Sequence, residues 1–178
     1  MAHILNLAFR KALGVETVKE ALQRIRDMAT FVGLSPKRMA RCKKELKESY
    51  PSLRDLKLVL DCEVRWGSTY AIVARALHLR RPLSAHFANE QGTMKEEKKY
   101  AALQITDDHG AALLALKGFL APFNTITKAA KGSAYPTVTT IVPYYNLLLD
   151  SLERILTNAA NSPSALLREL VQAALPNV

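Results

Sequence analysis

A run of cationic side chains is the part of this sequence whose spacing best suits binding to a polyanion. On a helix, residues 37, 41, 44 and 48 share one face, and residues 37, 38 and 41 cluster at one end. Such a face can follow a phosphate backbone, because each neutralised phosphate adds salt-dependent affinity. A solvated helix face is the alternative interpretation. The run holds six cations against Glu45 and Glu48: Lys37, Arg38, Arg41, Lys43, Lys44 and Lys47.

Trp66 is the one tryptophan of the chain, and it lies between Arg65 and Gly67. A lone tryptophan is most often an anchor of the hydrophobic core. Beside a guanidinium and close to a predicted helix start, an indole can also stack on an unpaired base, which is worth about 1–3 kcal/mol. The residues themselves leave both interpretations open.

Metal-binding and nucleophilic motifs are not visible in the sequence. Neither cysteine has a CxxC or nearby histidine partner, and the histidines lack ligand spacing, which disfavours a zinc site. We find no glycine-rich phosphate loop and no GxSxG nucleophile motif. The carboxylate pairs at Asp61 and Glu63 and at Asp107 and Asp108 do not supply a converging set for two metal ions. The pattern indicates a basic domain without a visible catalytic centre.

The net charge of +9 is confined to the first half of the chain. Residues 1–89 carry 17 basic and 8 acidic side chains, whereas residues 90–178 carry 8 of each. One-sided basicity suggests a polyanion or an acidic surface as partner. A hydrophobic content of 49% excludes an intrinsically disordered chain. No apolar run reaches the roughly 18–20 residues of a membrane span, and two cysteines argue against a disulfide framework.

Apolar residues at helical spacing, separated by glycine and proline, predict an all-α protein. Ser35 and Pro36 suit the cap and first position of a helix. Leu56–Asp61 is ambiguous, with one short extended segment as one interpretation, and Pro122 predicts a restart or kink. We predict helices over 2–13, 16–32, 36–49, 68–79, from Pro82 until it fades into the polar stretch 90–99, from about 107, over 137–157 and over 163–175.

The predicted architecture is an irregular multi-helix bundle in one domain. Residues 1–89 form its basic helical part, and residues 106–178 form a neutral helical scaffold. The polar stretch within 90–105 predicts an exposed loop between the two parts.

Four blocks, spread in the expected order over residues 3 to about 155, resemble the hAT superfamily of transposases. Each block is weak alone, but their common order makes the resemblance fairly specific. The blocks are His3-Ile4-Leu5-Asn6-Leu7, Ser35-Pro36-Lys37-Arg38, Leu58-Val59-Leu60-Asp61 followed by Arg65-Trp66-Gly67-Ser68-Thr69-Tyr70, and Tyr135-Pro136-Thr137 followed by Val142-Pro143-Tyr144-Tyr145 and Leu147-Leu148-Leu149.

The resemblance implies that this chain is a fragment of the helical insertion that splits an RNase H-like catalytic core. The two metal-binding aspartates would precede Met1 and the glutamate would follow Val178. We therefore expect the isolated chain to be catalytically inert and to hold no cofactor. The parent would be a metal-dependent DNA transposase that uses Mg²⁺ or Mn²⁺.

The resemblance also implies roles for individual residues. His3 would lie beside the active site near the scissile phosphate, Trp66 would stack on a flipped base, and Arg65 would contact a phosphate or base. Gly67 departs from the usual asparagine of the motif, and the first residue of the C/D-x-x-H motif would precede Met1. From the basic run we add four DNA-binding candidates: Lys37, Arg38, Arg41 and Lys44.

The expected function is that of a DNA-binding helical insertion domain in an hAT-like transposase. DNA at transposon ends or flanking sites would be the partner, homo-oligomers would form through regions outside this chain, and the resemblance implies a nuclear protein without membrane association. The alternative is a domesticated or degenerate helical module that binds protein and has no DNA activity. It is motivated by the apolar helix predicted at 137–157 and by the neutral second half.

Overall fold

The computed structural model describes residues 2–49, 66–89, 94–132, 138–157 and 165–175. All regular secondary structure within these ranges is helical, which confirms the all-α prediction. The segment predicted as extended, 56–61, lies outside the described residues. The eight described helices are α1 (Ala2–Leu13), α2 (Glu16–Gly33), α3 (Pro36–Ser49), α4 (Trp66–Asn89), α5 (Met94–Leu103), α6 (Asp107–Gly132), α7 (Val138–Thr157) and α8 (Ala165–Ala174).

The helix ends of the first half follow from local chemistry. The N–H of Gly14 donates to the carbonyl oxygens of Arg10 (3.1 Å) and Lys11 (3.0 Å), which closes the last turn of α1. The N–H of Arg38 donates to the Ser35 hydroxyl at 3.3 Å, so Ser35 caps α3 as predicted. Pro36 takes the first helical position, where an N–H would have no helical acceptor.

Helix α6 lies at the centre of the fold. It packs against α2, α4, α7 and α8, and its most extensive interface is with α4. One hydrophobic cluster joins all eight described helices, so the basic and the neutral parts share a core. Burial of each large apolar side chain contributes about 1.5–3 kcal/mol. The largest fully buried side chains include Phe9, Leu22, Leu79, Leu113, Leu116 and Phe119.

Helix α4 corrects the predicted break before Pro82. The structure shows one helix from Trp66 to Asn89 with buried Pro82 inside it. A proline within a helix removes a hydrogen bond and costs about 3 kcal/mol or more. Burial of Leu79, Leu83 and Phe87 on the same helix offsets that cost.

The prolines of the second half also lie within helices. Helix α6 runs from Asp107 to Gly132 without ending at Pro122, so of the restart or kink predicted there the restart is wrong and the kink stays a prediction. Pro143 lies inside α7, as predicted. The described helices include none that is long and apolar enough to cross a membrane.

Helix α5 corrects the loop predicted within 90–105, because residues 94–103 are helical. The apolar end of this segment is buried at Tyr100, Leu103 and Ile105. The ring of Tyr100 meets that of Phe31 edge to face, with 5.4 Å between centroids, and lies 5.7 Å from that of Phe87. These aromatic contacts attach α5 to α2 and α4. The polar composition of its first turns led to the prediction of a loop, although the helix is packed.

The start of α6 is capped reciprocally by Thr106 and His109. The His109 N–H donates to the Thr106 hydroxyl at 3.3 Å, and the Thr106 N–H donates to Nδ1 of His109 at 3.2 Å. This arrangement is a capping box in which histidine takes the place of glutamate. An ion pair between Arg80 and Asp107 then joins α4 to the first turn of α6.

Candidate nucleic-acid interface

Helix α3 presents three of its cations on the side opposite its buried residues. Cys42 and Leu46 are buried and attach the inner side of α3 to the core. Lys37, Arg41 and Lys44 are exposed, and with Glu48 they form the outer face of α3. The three cations span about 10 Å along the helix axis, given a rise of about 1.5 Å per residue. The structure therefore brings these three predicted residues together on one solvated surface.

The ion pair within the outer face of α3 is weak. The Lys44 ammonium lies 4.0 Å from a Glu48 carboxylate oxygen, and both side chains are more than 60% exposed. An exposed pair of this kind contributes about 0–1 kcal/mol and is screened by salt. A phosphate can therefore compete with Glu48 for Lys44 at little cost.

Arg38 differs from the other candidates because its side chain is half-buried. Its guanidinium carbon lies 3.9 Å from the centre of the Phe31 ring, which attaches α3 to α2. The ammonium of Lys99 lies 4.9 Å from the same ring centre. Such cation–π contacts contribute about 0.5–2 kcal/mol. Arg38 thus has a packing role that sequence spacing did not reveal.

A groove of about 760 Å³ lies between α2, α3 and α5 and includes Arg38 in its wall. Its lining carries both signs of charge, with Glu20 and Asp27 near Arg24 and Lys99. A polyanion would meet carboxylates in this groove, so the outer face of α3 suits it better. The sequence did not predict the contact between Lys99 and Phe31, because it depends on the packing of α5.

His3 and Trp66 lie on helices whose most extensive contacts differ. His3 belongs to α1, which packs against α8 and α2, and Trp66 is the first residue of α4, which packs chiefly against α6. Arg65 lies outside the described residues. The roles expected for these three residues stay predictions.

The block that follows Trp66 combines buried and open positions. Thr69 is fully buried, and half-buried Tyr70 packs against the core, so both position the start of α4. Gly67 is exposed, and a Cβ added there would meet no atom within 4 Å. The Cβ of an asparagine, the residue expected here from the transposase resemblance, would therefore meet no other atom.

The described residues contain no group of three or more His, Cys, Asp or Glu side chains that could hold a metal ion. They give no fitted position for the Mg²⁺ or Mn²⁺ that the transposase resemblance implies. We therefore assign no catalytic step to them.

Comparison with known protein families gives a match over the first part of the chain. The family described as the ZBED1 RNase-like helical domain matches residues 1–107, which is more than half of the chain. The match covers α1 to α5 and reaches the first residue of α6. Searches of curated proteins and of solved structures gave no match. The chain therefore belongs to the ZBED1 RNase-like helical domain family, whose domains are related to hAT transposases.

Proposed function

We propose that this protein is a DNA-binding helical domain of an hAT-like transposase, and that the outer face of α3 contacts the DNA backbone. The observation that carries the proposal is the alignment of Lys37, Arg41 and Lys44 on one exposed face. Membership in the ZBED1 RNase-like helical domain family supports the same class of protein. The nucleus is the proposed location, because a transposase acts on chromosomal DNA.

The outer face of α3 is suited to this task because the opposite side of the helix is packed into the core. Buried Cys42 and Leu46 fix the helix, so binding orders only the ends of the three cationic side chains. Each phosphate that a cation neutralises releases counterions from the DNA, and this release supplies affinity without sequence preference. Contacts of this kind position a protein on DNA but do not select a base.

The roles proposed for His3, Arg65 and Trp66 rest on the transposase resemblance. His3 would lie near the scissile phosphate, Trp66 would stack on a flipped base, and Arg65 would add a phosphate or base contact. An aromatic platform offsets part of the few kcal/mol that base flipping costs. Strand cleavage would use carboxylates from elsewhere in the transposase, and this domain would supply contacts to DNA.

A charge-matched pair of triple variants tests the α3 contact. One variant combines Lys37→Gln, Arg41→Gln and Lys44→Gln. The control combines Lys11→Gln, Lys98→Gln and Arg154→Gln, which removes three exposed charges from three other helices. Affinity for a fluorescently labelled duplex is measured by anisotropy at several salt concentrations between about 50 and 200 mM.

We expect the α3 variant to bind less tightly and with a shallower salt dependence. The slope of log K against log salt falls by about 0.9 for each phosphate that is no longer neutralised, so removal of three cations predicts a decrease of up to about 2.7. The control should keep nearly the slope of the unsubstituted protein. Equal losses of affinity in both variants would overturn the α3 proposal. A duplex affinity that does not change with salt concentration would also overturn it.

A protein-binding module is the alternative proposal, and exposed apolar residues on α7 favour it. Val142 is 46% exposed and Leu147 is 53% exposed. Large apolar side chains that face solvent can mark a surface for a partner. The same titration separates the two functions, since a protein-binding module would show no affinity for the duplex even at about 50 mM salt.

A further inference from the structure

A second groove lies between α4 and α6, and none of the contacts proposed above uses it. Its volume is about 520 Å³. Helix α4 contributes Gly67, Tyr70, Arg75 and His78, and α6 contributes Asn124 and Lys128 at helical spacing. We call it the α4–α6 groove. It begins at the residue that directly follows Trp66.

The polar lining of the α4–α6 groove is cationic or neutral. Arg75, His78 and Lys128 converge from two helices, and no carboxylate belongs to the described lining. The α2–α3–α5 groove differs, because Glu20 and Asp27 line it. A concave surface with one sign of charge concentrates ligands of the opposite sign. The α4–α6 groove therefore favours an anion.

Arg75 provides an independent indication of a ligand. Its Nη1 atom is buried and has no hydrogen-bond partner among the described residues. An unpaired buried donor destabilises a fold unless another group accepts its hydrogen bond. A rotation of the Arg75 side chain that turns this donor into the groove would let a phosphate oxygen accept from it, because guanidinium and phosphate form charge-assisted hydrogen bonds of matched geometry. Asn124 offers a further amide donor in the same groove.

The size of the groove favours one strand over a duplex. Its volume lies in the range of about 300–1,000 Å³ that is typical of small-ligand sites. The small side chains of Ala71 and Ala74 line its α4 side, and half-buried Tyr70 adds an aromatic ring. Proteins that bind single strands combine a cationic groove with aromatic side chains in this way.

We propose that the α4–α6 groove binds the phosphodiester backbone of an unpaired DNA strand. Arg75, His78 and Lys128 contact the phosphate oxygens, and the bases of the strand pass close to the start of α4. This inference rests on the proposed DNA-binding function and extends it to a second surface. The outer face of α3 binds the duplex, and the α4–α6 groove binds the strand that separates from the duplex.

The test compares two substrates and two surfaces. The groove variant combines His78→Gln with Lys128→Gln, because both side chains are exposed and their loss should spare the fold. Its control combines Lys11→Gln with Lys98→Gln. A labelled ten-nucleotide thymidine oligomer and a duplex are titrated into each protein by anisotropy. Emission of Trp66, the one tryptophan, reports binding near the start of α4.

We expect the groove variant to bind the single strand about tenfold more weakly and the duplex within about twofold of the unsubstituted protein. The control should bind both substrates normally. Arg75→Gln is the second variant, and it should weaken single-strand binding by a similar factor. Its melting curve shows whether that weakening reflects unfolding.

Three outcomes would overturn the groove proposal, and they distinguish it from the proposed function. In the first outcome, the groove variants keep the single-strand affinity and the Trp66 emission of the unsubstituted protein, while the α3 variant binds the duplex more weakly. This result overturns the groove proposal alone. Equal weakening by the groove variant and its control also removes only the groove proposal. Failure of the unsubstituted protein to bind either substrate removes both proposals.

Discussion

The guanidinium carbon of Arg38 lies 3.9 Å from the centre of the Phe31 ring, so this half-buried cation fastens α3 to α2. We expect Arg38→Ala to lower the free energy of unfolding by about 0.5–2 kcal/mol, because alanine can neither cover the ring nor fill the space of the arginine stem. Denaturation in urea measures the change. Lys37→Ala, at the exposed neighbouring position, should alter stability by less than about 0.5 kcal/mol. A destabilisation of similar size in both variants would contradict a packing role for Arg38.

Substitution of Gly67 should be tolerated. A Cβ at this position meets no atom within 4 Å, and glycine in a helix costs up to about 1 kcal/mol relative to alanine. We expect Gly67→Ala to raise the melting temperature by a few degrees and Gly67→Asn to leave it nearly unchanged. Differential scanning calorimetry measures both. A marked destabilisation by Gly67→Ala would show that the start of α4 needs a glycine.

Substitutions at the two residues of the reciprocal α6 cap should change stability differently. Thr106→Ala removes the acceptor for the His109 N–H, and we expect stability to fall by about 1 kcal/mol. His109→Ala should also destabilise α6, whereas His109→Glu should restore the cap, since glutamate is the usual partner at that position. Chemical denaturation of the three variants checks this order. Equal stability of His109→Ala and His109→Glu would exclude a capping role for the side chain.

Gly118 marks a close approach between α6 and α8. A Cβ at this position would lie 3.3 Å from Cδ2 of Leu167. We expect Gly118→Val to destabilise the protein by about 1–3 kcal/mol through overpacking, and Leu167→Ala to relieve part of that destabilisation. A double-mutant cycle measures the coupling between the two positions.

Gly33→Val is the matched control for Gly118→Val, because a Cβ at Gly33 would meet no atom within 4 Å. We expect the control to change stability by less than about 0.5 kcal/mol. Strict additivity of Gly118→Val and Leu167→Ala would contradict the proposed overlap.

Truncation after residue 107 should abolish cooperative folding, although the family match ends there. Removal of α6 would expose the apolar sides of α2 and α4, which pack against it. Thermal melting by circular dichroism should show a sharp transition for the full chain and a broad one for residues 1–107. A sharp transition in the truncated protein would mean that α1 to α5 fold without α6.

Local signals predicted many of the helices. The bounds predicted for α3 agree with the structure because the Ser35 cap and Pro36 define its start. The start of α6 was predicted for a similar reason, since Thr106 and the two aspartates form a helix-start signal within one turn. The alignment of Lys37, Arg41 and Lys44 on one exposed face also follows from spacing alone.

Features that depend on distant contacts were beyond local reasoning. The continuity of α4 through Pro82 reflects its burial against other helices, which no local propensity contains. Helix α5 was not predicted because Tyr100 is buried by Phe31 and Phe87, which belong to two other helices. The α4–α6 groove was missed likewise, as Arg75 and Lys128 meet only when two helices pack.

Packing of α1 against α8 has a topological consequence. The first and the last described helices are neighbours, so the two terminal elements of the described fold are adjacent. A domain with adjacent ends can be inserted into a surface loop of a host domain without forcing the two flanking host segments apart. The host would need to open only a narrow gap, and both folding units could keep their own cores.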